Sequence, residues 1–300
     1  MKTVLVIAFK FNDIIYSLNT NEYKLSDKSY LVILYNNIDP NFFPYTDCFD
    51  KVYNIKYKKK RLFTTLVQIF YSINLKIDYI ITSNPILIIT QYIIRQVKAK
   101  KVIMIEDGLM NYLHHNPSES KIKKILQLLF GIKEKQIYNS IQCSYLLDPN
   151  KAIFFYGKKI KLDFKEFNKT DTISHLNFMQ NKSFFVGQNL YHLGYMTKSE
   201  YKSLVEKTMK GYNIDFYIPH PHGDKDENLD VSIFDISKEQ TTLEICSIFY
   251  NFSIFSISSS VLFSTKNINP NIKCYIVENI YTDISPILLE NCNGIAKIKD

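Results

Sequence analysis

Short runs of β-branched and aliphatic residues alternate with longer segments of helical periodicity along most of this chain, and no other feature constrains the fold as strongly. The strand-length runs are Val4–Phe9, Tyr30–Tyr35, Tyr79–Thr82, Lys101–Ile105, Ser183–Val186, Asp215–Ile218, Ser253–Ile257 and Lys273–Val277. Segments of helical spacing between them include Leu62–Leu75, Pro85–Val97, Thr197–Lys210 and Thr241–Phe249. Strands that alternate with helices are typical of parallel βαβ units. The sequence therefore predicts an α/β protein built on parallel sheets.

The strand runs form two sets of four, and 300 residues suit two domains of roughly 150 residues each. The strand pattern lapses between residues 157 and 180, where lysines accumulate. We therefore expect domains at 1–165 and 166–300. Residues 1–160 contain 23 Lys and Arg against 12 Asp and Glu, a net charge of +11, whereas residues 161–300 contain 14 against 17, a net charge of −3. The basic character of the chain thus belongs to the first domain.

Several classes of protein are excluded by patterns that the sequence lacks. No apolar run reaches the ~20 residues of a membrane-spanning helix, since Tyr79–Ile94 is interrupted by Asn84, Pro85 and Gln91. The first ten residues lack the cleavage pattern of a secretory signal, and the five cysteines form no Cys-x-x-Cys pair. We expect a protein of the reducing cytoplasm, without a disulfide framework. The glycine-rich loops of dinucleotide-binding and P-loop proteins are also missing.

The segment Glu106-Asp107-Gly108 directly follows the strand run 101–105. Parallel α/β sheets bind their ligands at the carboxyl ends of the strands. A carboxylate at that position, before a glycine that permits a tight turn, is suited to act as a general base, and Asp107 is therefore a candidate catalytic residue. An ordinary Asp-Gly turn without a chemical role is the alternative that these residues leave open.

A histidine lies between two prolines in the segment Pro219-His220-Pro221, again directly after a strand run. The prolines restrict the backbone on both sides of the imidazole. Histidine, with an ordinary pKa of ~6.5, can donate a proton near neutral pH, so His220 is a candidate acid or hydrogen-bond donor. Two alternatives stay open, a metal site formed by His220, His222 and Asp224, and a purely structural turn.

Three consecutive serines, Ser258, Ser259 and Ser260, follow the last residue of the strand run 253–257. Hydroxyl and backbone N–H groups at the start of a helix can hold a phosphate, helped by the positive end of the helix dipole. Simple capping of the next helix is the alternative, and the two roles are compatible. Upstream, the Glu244 carboxylate can accept hydrogen bonds from a ribose or be solvated.

Two basic segments of the first domain, residues 56–63 and 121–130, carry apolar side chains beside their lysines. The second segment predicts a basic amphipathic helix, suited to an anionic membrane surface. A solvated helix that packs on its own core is the alternative. We expect no nucleic-acid partner, because no known binding motif accompanies the charge.

Taken in order, Glu106-Asp107-Gly108, His220-Pro221 and Ser259-Ser260 resemble the motif set of bacterial sialyltransferases, which have an acidic-acidic-Gly motif in one domain and His-Pro and Ser-Ser motifs in the next. Asp107 and His220 are 113 residues apart, a separation that suits opposing domains. With its length and the segment Val186–Leu190, the chain looks most like glycosyltransferase family 52, which includes lipooligosaccharide and capsule sialyltransferases.

The resemblance implies a GT-B fold, in which two Rossmann-like α/β domains face each other across a cleft. The first domain would bind the acceptor, and the second would bind the nucleotide-sugar donor. The enzyme would transfer sialic acid from CMP-sialic acid to galactose, or a similar sugar, of a bacterial cell-surface glycan, with inversion and without a metal or cofactor. We expect it in the cytoplasm, with peripheral contact to the inner face of the membrane through the basic first half. Monomer and homodimer both stay open.

By carry-over of the motifs, Asp107 would deprotonate the acceptor hydroxyl, and His220 would hydrogen-bond or protonate the departing phosphate. The predicted substrate-binding residues are Glu106, Gly108, Gly187, Gln188, Pro221, Glu244, Ser259 and Ser260. Which two of Ser258, Ser259 and Ser260 hold the phosphate stays open. Three other functions stay open at this point. They are a metal-dependent hydrolase built on His220, His222 and Asp224, a glycosyltransferase that uses another nucleotide sugar, and a non-catalytic module that binds membrane surfaces.

Overall fold

The computed structural model of the chain describes residues 1–36, 39–57, 62–73, 75–113, 121–167, 173–220, 229–280 and 282–297. The chain divides into two compact units, Met1–Phe164 and Lys165–Asp300. The predicted boundary, after residue 165, lies one residue from this division. Both units are α/β structures with wholly parallel sheets, as the alternating pattern predicts.

Unit 1 contains a seven-stranded sheet in the order β3-β2-β1-β4-β5-β6-β7. Its strands are β1 (Thr3–Ala8), β2 (Lys28–Tyr35), β3 (Lys51–Lys56), β4 (Tyr79–Thr82), β5 (Lys101–Ile105), β6 (Ile141–Leu146) and β7 (Lys158–Lys161). Its α-helices are α1 (Phe11–Leu18), α2 (Asn21–Lys24), α3 (Leu62–Ser72), α4 (Ile88–Gln96), α5 (Lys121–Leu129) and α6 (Glu134–Ser140). Short 3₁₀ turns lie at Pro40–Phe42, Thr46–Cys48 and Gly108–Asn111.

Unit 2 contains a five-stranded sheet in the order β12-β11-β10-β8-β9. Its strands are β8 (Ser183–Val186), β9 (Phe216–Ile218), β10 (Ser253–Ser256), β11 (Lys273–Val277) and β12 (Gly294–Ala296). Its α-helices are α7 (Lys198–Gly211), α8 (Leu243–Phe249), α9 (Ser260–Ile268) and α10 (Pro286–Asn291), with 3₁₀ turns at Ser174–Met179 and Ile236–Glu239.

The central strands explain why the sequence shows continuous apolar runs. All six residues of β1 are buried, because β1 pairs with β2 on one side and with β4 on the other and is covered on both faces. In unit 2, β8 is likewise an interior strand, between β10 and β9, and Phe184 and Phe185 are both fully buried. Continuous apolar strands of this kind are typical of parallel sheets that are covered on both sides.

One prediction about the segment between the two domains is wrong. The sequence predicts that the strand pattern lapses from residue 157 onward, but Lys158–Lys161 forms β7, which pairs with β6 at the edge of the first sheet. An edge strand has a partner on one side only and tolerates lysines, so its sequence lacks the apolar signal of a central strand. The lysines at this point are part of unit 1. Among the described residues, no helix is long and apolar enough to cross a bilayer.

Candidate functional site

Each sheet has one point at which the chain reverses the direction of strand addition. In unit 1 the strands after β1 are added on one side up to β3, and β4 then pairs with the other side of β1. In unit 2, β9 lies on one side of β8 and β10 on the other. Ligands of parallel α/β proteins bind outside the carboxyl ends of the strands at such switch points. The residues that follow β1, β4, β8 and β10 therefore lie where a ligand is expected.

In unit 1 a salt bridge forms at this position. Lys10 follows β1, and its Nζ lies 2.7 Å from Oδ1 of Asp107, which follows β5. Asn84, which follows β4 between them, directs its amide Nδ2 toward the other carboxylate oxygen at 3.4 Å. The Asp107 side chain is 21% exposed and that of Lys10 is 41% exposed, so the ion pair remains accessible from solvent. The predicted base is thus held by two side chains at the switch point.

A second carboxylate lies beneath this pair. Asp13, in the first turn of α1, is fully buried and accepts hydrogen bonds from the backbone N–H groups of Phe9, at 2.8 Å, and of Lys10, at 3.2 Å. Burial raises the pKa of Asp13 to about 6, although the Lys10 ammonium acts in the opposite direction. Burial alone would lower the pKa of Lys10, but the Asp13 and Asp107 carboxylates outweigh it, and the net shift is upward. Lys10 is therefore a permanent cation between two acidic groups.

Glu106 points into the protein rather than toward solvent. Its side chain is fully buried, and Oε2 accepts hydrogen bonds from the Tyr112 hydroxyl at 2.7 Å and from the Leu147 N–H at 2.8 Å. Burial raises the pKa of Glu106 to about 8, although these two hydrogen bonds lower it. These contacts fix the loop between β5 and β6, and the predicted contact of Glu106 with substrate stays a prediction.

The backbone around Asp107 is shaped by two neighbours. Gly108 has φ +68°, a left-handed conformation that costs glycine little and other residues more. The Asp107 N–H donates to the Asn111 side-chain oxygen at 2.6 Å, one turn further along the 3₁₀ segment. The glycine of the motif thus allows the sharp turn that leaves the Asp107 carboxylate at the sheet edge.

In unit 2 the switch point is formed by uncharged groups. Gln188 follows β8 and Ser258 follows β10, and their contact is reciprocal. The Ser258 N–H donates to Gln188 Oε1 at 2.8 Å, and Gln188 Nε2 donates to the Ser258 hydroxyl at 3.2 Å. The Gln188 backbone N–H in turn donates to the Tyr201 hydroxyl at 2.8 Å. The amide of Gln188 therefore ties the ends of the two central strands together.

Gly187 is required by close packing. A Cβ at this position would overlap the Tyr217 hydroxyl and lie 2.8 Å from its Cζ, closer than non-bonded carbon atoms approach. The Gly187 N–H donates to the Ile218 carbonyl at 2.8 Å, which extends the pairing of β8 and β9. Tyr217 and Tyr201 are both buried, with hydroxyl oxygens 3.2 Å apart. This packing places the loop that carries Gln188, and the direct substrate contact predicted for Gly187 stays a prediction.

The other predicted residues of unit 2 lie at the same edge of the sheet. Ser259 is the N-cap of α9 and accepts a hydrogen bond from the Val261 N–H at 3.3 Å, while Ser260 is the exposed first residue of that helix. Glu244 lies in the first turn of α8, whose start faces this edge because α8 leads back to the amino end of β10. His220, half-buried, comes two residues after β9. Parallel pairing of these strands therefore gathers the residues at one edge.

Part of the predicted histidine loop lies outside the described residues. Pro221, His222 and Asp224 belong to that part, so the Pro221 contact and the alternative metal site stay predictions. Among the described residues, no three His, Cys, Asp or Glu side chains are grouped closely enough to hold a metal ion.

The partners of the predicted residues are not evident from the sequence motifs. Lys10, Asn84 and Asp13 surround Asp107, and Tyr201 and Tyr217 support the Gln188 loop. Lys10 and Asn84 each follow a strand run within two residues, which is a signal that could have found them. The two tyrosines gave no such signal, because aromatic residues at helix and strand positions usually belong to the core.

Comparisons with solved structures define the class of fold. The UDP-GlcNAc 2-epimerase from Methanocaldococcus jannaschii is similar over 99% of this chain and 88% of its own, with TM-score 0.52 and 13% sequence identity. The corresponding enzyme from Neisseria meningitidis, bound to UDP-GlcNAc, is similar over 94% and 84%, with TM-score 0.52 and 13% identity. S. aureus MnaA with UDP is similar over 93% and 80%, with TM-score 0.51 and 9% identity. The fold is therefore of the GT-B class, as the motif resemblance implies.

The sequence then identifies the family. The model of glycosyltransferase family 52 matches residues 27–279, and the chain belongs to this family. It is a glycosyltransferase. None of the curated proteins compared with the chain matches it.

Proposed function

We propose that this glycosyltransferase is a sialyltransferase, which moves sialic acid from CMP-sialic acid to a terminal galactose, or a similar sugar, of a bacterial cell-surface glycan. The observation that carries the proposal is the chemical difference between the two switch points. One offers an accessible carboxylate, Asp107, and the other offers hydroxyl and N–H donors around Ser259. An acceptor hydroxyl needs the first kind of group and a departing phosphate needs the second.

Asp107 acts as the general base. Its carboxylate accepts the proton of the acceptor hydroxyl while that oxygen bonds to the anomeric carbon of the donor. Lys10 positions the carboxylate through the 2.7 Å ion pair, and Asn84 limits its rotation from the other side. Unit 1 is thus the acceptor unit of the proposal.

The residues of unit 2 bind the leaving group. As the bond between the anomeric carbon and the phosphate oxygen breaks, negative charge grows on the phosphate, and His220 hydrogen-bonds or protonates it. Ser259 and Ser260 donate their hydroxyls to the same phosphate at the start of α9, where the helix dipole favours an anion. Ser258 is the less suitable third serine, because its hydroxyl and N–H already contact Gln188. Glu244 accepts hydrogen bonds from the cytidine ribose.

This scheme is a single displacement and inverts the anomeric configuration. CMP leaves with one phosphate, whose charge imidazole and hydroxyl donors can stabilise, so the scheme uses neither a metal nor a cofactor. A cytoplasmic location forms part of the proposal, and it is supported by five cysteines that form no disulfide.

The test is CMP release from CMP-sialic acid in the presence of EDTA, with and without a galactose-terminated acceptor. We expect release that the acceptor stimulates and that EDTA leaves unchanged. Asp107→Asn and His220→Ala should each lower it about 100-fold or more, the usual range for loss of an acid–base group. Control variants are Asp27→Asn and His175→Ala, exposed residues that precede β2 and β8 and so lie toward the opposite edges of the sheets.

Two results would contradict the proposal. Hydrolysis that is independent of the acceptor and abolished by EDTA would favour the metal site of His220, His222 and Asp224. Turnover of another nucleotide sugar in place of CMP-sialic acid would agree with a glycosyltransferase but would exclude CMP-sialic acid as its donor.

A further inference from the structure

Helix α5 turns its apolar side outward. Ile125, Leu128 and Leu129 are 58%, 83% and 70% exposed, whereas Lys123 and Gln127 on the same helix are partly buried. A surface helix of a globular protein normally shows the reverse arrangement, with apolar residues toward the core. The exposed side of α5 therefore lacks the apolar environment that its residues favour.

Specific polar contacts fix this orientation. Glu134, at the start of α6, accepts hydrogen bonds from Lys123 Nζ at 2.6 Å and from Gln91 Nε2 at 3.1 Å, and also from the Tyr138 hydroxyl. Gln127 Nε2 donates to Gln91 Oε1 at 2.9 Å. Burial would raise the pKa of Glu134, but these donors outweigh it and lower the pKa to about 2. Rotating α5 to bury its exposed leucines would break the hydrogen bonds of Lys123 and Gln127.

The apolar surface extends from α5 to α3. Phe70 and Tyr71 on α3 are 52% and 80% exposed. Together with Leu128 and Leu129 they line a groove of about 480 Å³, whose floor includes Tyr92 and Arg95 of α4. We call the surface of Val67, Phe70, Tyr71, Ile125, Leu128 and Leu129 the α3–α5 face. Contiguous exposed apolar surfaces of this kind mark binding sites.

The charge around the α3–α5 face indicates its partner. The sequences of α3, α4 and α5 contain four basic residues, Arg95, Lys121, Lys123 and Lys124, and no Asp or Glu. The 27 residues between Asp50 and Asp78, which include α3, contain seven Lys and Arg and again no acidic residue. An apolar surface among lysines suits the boundary between acyl chains and anionic headgroups. Against a second copy of the chain it would bring like charges together, and lysine is depleted at protein interfaces.

We infer that the α3–α5 face docks on the surface of an anionic lipid bilayer, with Phe70, Tyr71, Leu128 and Leu129 inserted among the headgroups. Lys124, which is exposed on α5, then adds electrostatic attraction to the anionic headgroups, whereas Lys123 stays paired with Glu134. The inference does not depend on the identity of the donor or acceptor.

The test is flotation of the full chain with vesicles of phosphatidylglycerol and phosphatidylcholine, compared with vesicles of phosphatidylcholine alone. We expect binding to the anionic vesicles only, weakened severalfold between 0.1 M and 0.5 M salt because the attraction is screened. The double variant Leu128→Ser/Leu129→Ser should bind at least tenfold more weakly, and Lys124→Gln about fivefold more weakly.

The control is Leu25→Ser/Ile280→Ser, which removes two side chains that are 65% and 92% exposed elsewhere on the molecule. It should bind like the wild type. CMP release with a soluble acceptor and no vesicles should be the same for the Leu128→Ser/Leu129→Ser variant and the wild type, so failure of the proposed function cannot be mistaken for failure of docking. Equal binding by both double variants would overturn the inference. So would a dimer, detected by sedimentation velocity, that Leu128→Ser/Leu129→Ser converts to monomer while vesicle binding is unchanged.

Discussion

The switch points of the two sheets occupy equivalent positions but differ in chemistry. In unit 1 the edge carries charge, with Lys10 between Asp107 and Asp13. In unit 2 the edge is built from an amide, hydroxyls and backbone N–H groups around Gln188 and Ser258. A proton transfer needs a group whose charge can change, whereas binding a phosphate needs donors that are already in place. The same topology therefore supports two different chemical tasks.

The two edges also solve the problem of buried polar groups differently. Burying a charge is costly unless it is paired, and in unit 1 Lys10 pairs with Asp107 while Asp13 accepts from two backbone N–H groups. In unit 2 the uncharged pair of Gln188 and Ser258 satisfies its polar atoms through reciprocal hydrogen bonds. Three predictions test whether this contrast is functional.

The first prediction concerns the charged edge. Lys10→Met removes the ion pair that positions Asp107, and we expect CMP release to fall roughly 10- to 100-fold, mainly in kcat, because base positioning affects the transition state. Lys10→Arg, which keeps the charge, should recover part of the activity. Equal kcat for Lys10→Met and the wild type would mean that Lys10 has no positioning role, and the charged edge would lose its proposed importance.

The second prediction concerns the packing that supports the uncharged edge. Gly187→Ala should lower the free energy of unfolding by about 1–3 kcal/mol, since its Cβ overlaps the Tyr217 ring and the core must shift. Gly211→Ala is the matched control, because a Cβ there meets open space at the end of α7. It should leave stability unchanged or raise it by up to ~1 kcal/mol. Urea unfolding measures both, and equal stabilities would contradict the close packing.

The third prediction uses pH. Glu106 keeps its proton up to about pH 8 in the folded protein, whereas in the unfolded chain it releases the proton near the ordinary glutamate pKa of 4.5. The unfolded state therefore binds fewer protons between these values, and stability falls as pH rises, by at most ~1.4 kcal/mol per pH unit for one group.

Glu106→Gln removes that titration, so its stability relative to the wild type should increase steadily from pH 5 to pH 8. Urea unfolding at pH 5, 6, 7 and 8 measures the difference. Glu278→Gln, a change at a half-exposed carboxylate, is the control, and the difference between its stability and that of the wild type should stay constant across these pH values. A parallel curve for Glu106→Gln would show that the buried carboxyl does not retain its proton in this range.

The sequence predicts the central strands well because burial on both faces leaves a continuous apolar run. Tyr79–Thr82 and Lys273–Val277 have the predicted bounds. The strands Lys51–Lys56, Lys158–Lys161 and Gly294–Ala296 were missed, and all three lie at sheet edges. The interior strand Ile141–Leu146, in which Gln142 and Ser144 interrupt the apolar run, was also missed. Edge strands are specified more by their single neighbour than by their own composition.

The sequence predicted the site residues that belong to motifs. It did not predict the contacts that depend on long-range packing. Asp107 and Ser259 follow strand runs, so their places at the sheet edges follow from the alternation of strands and helices. The Lys10 ion pair depends on β1 and β5 lying close together, with β4 between them, and this order is set by long-range pairing. The outward turn of Leu128 depends on contacts of α5 with Glu134 of the next helix and with Gln91, 36 residues before Gln127, so the helical pattern alone could not assign its exposed side.

The central position of β1 has a consequence for synthesis of the chain. β1 is made before its second neighbour, β4, which begins at Tyr79, and the Thr3 N–H finds its acceptor only in Asp78. At roughly 5–20 residues per second, some 75 further residues take about 4–15 s to make. During that interval the nascent protein exposes a six-residue strand that the finished sheet buries entirely. This interior strand thus stays open to mispairing until β4 has been made.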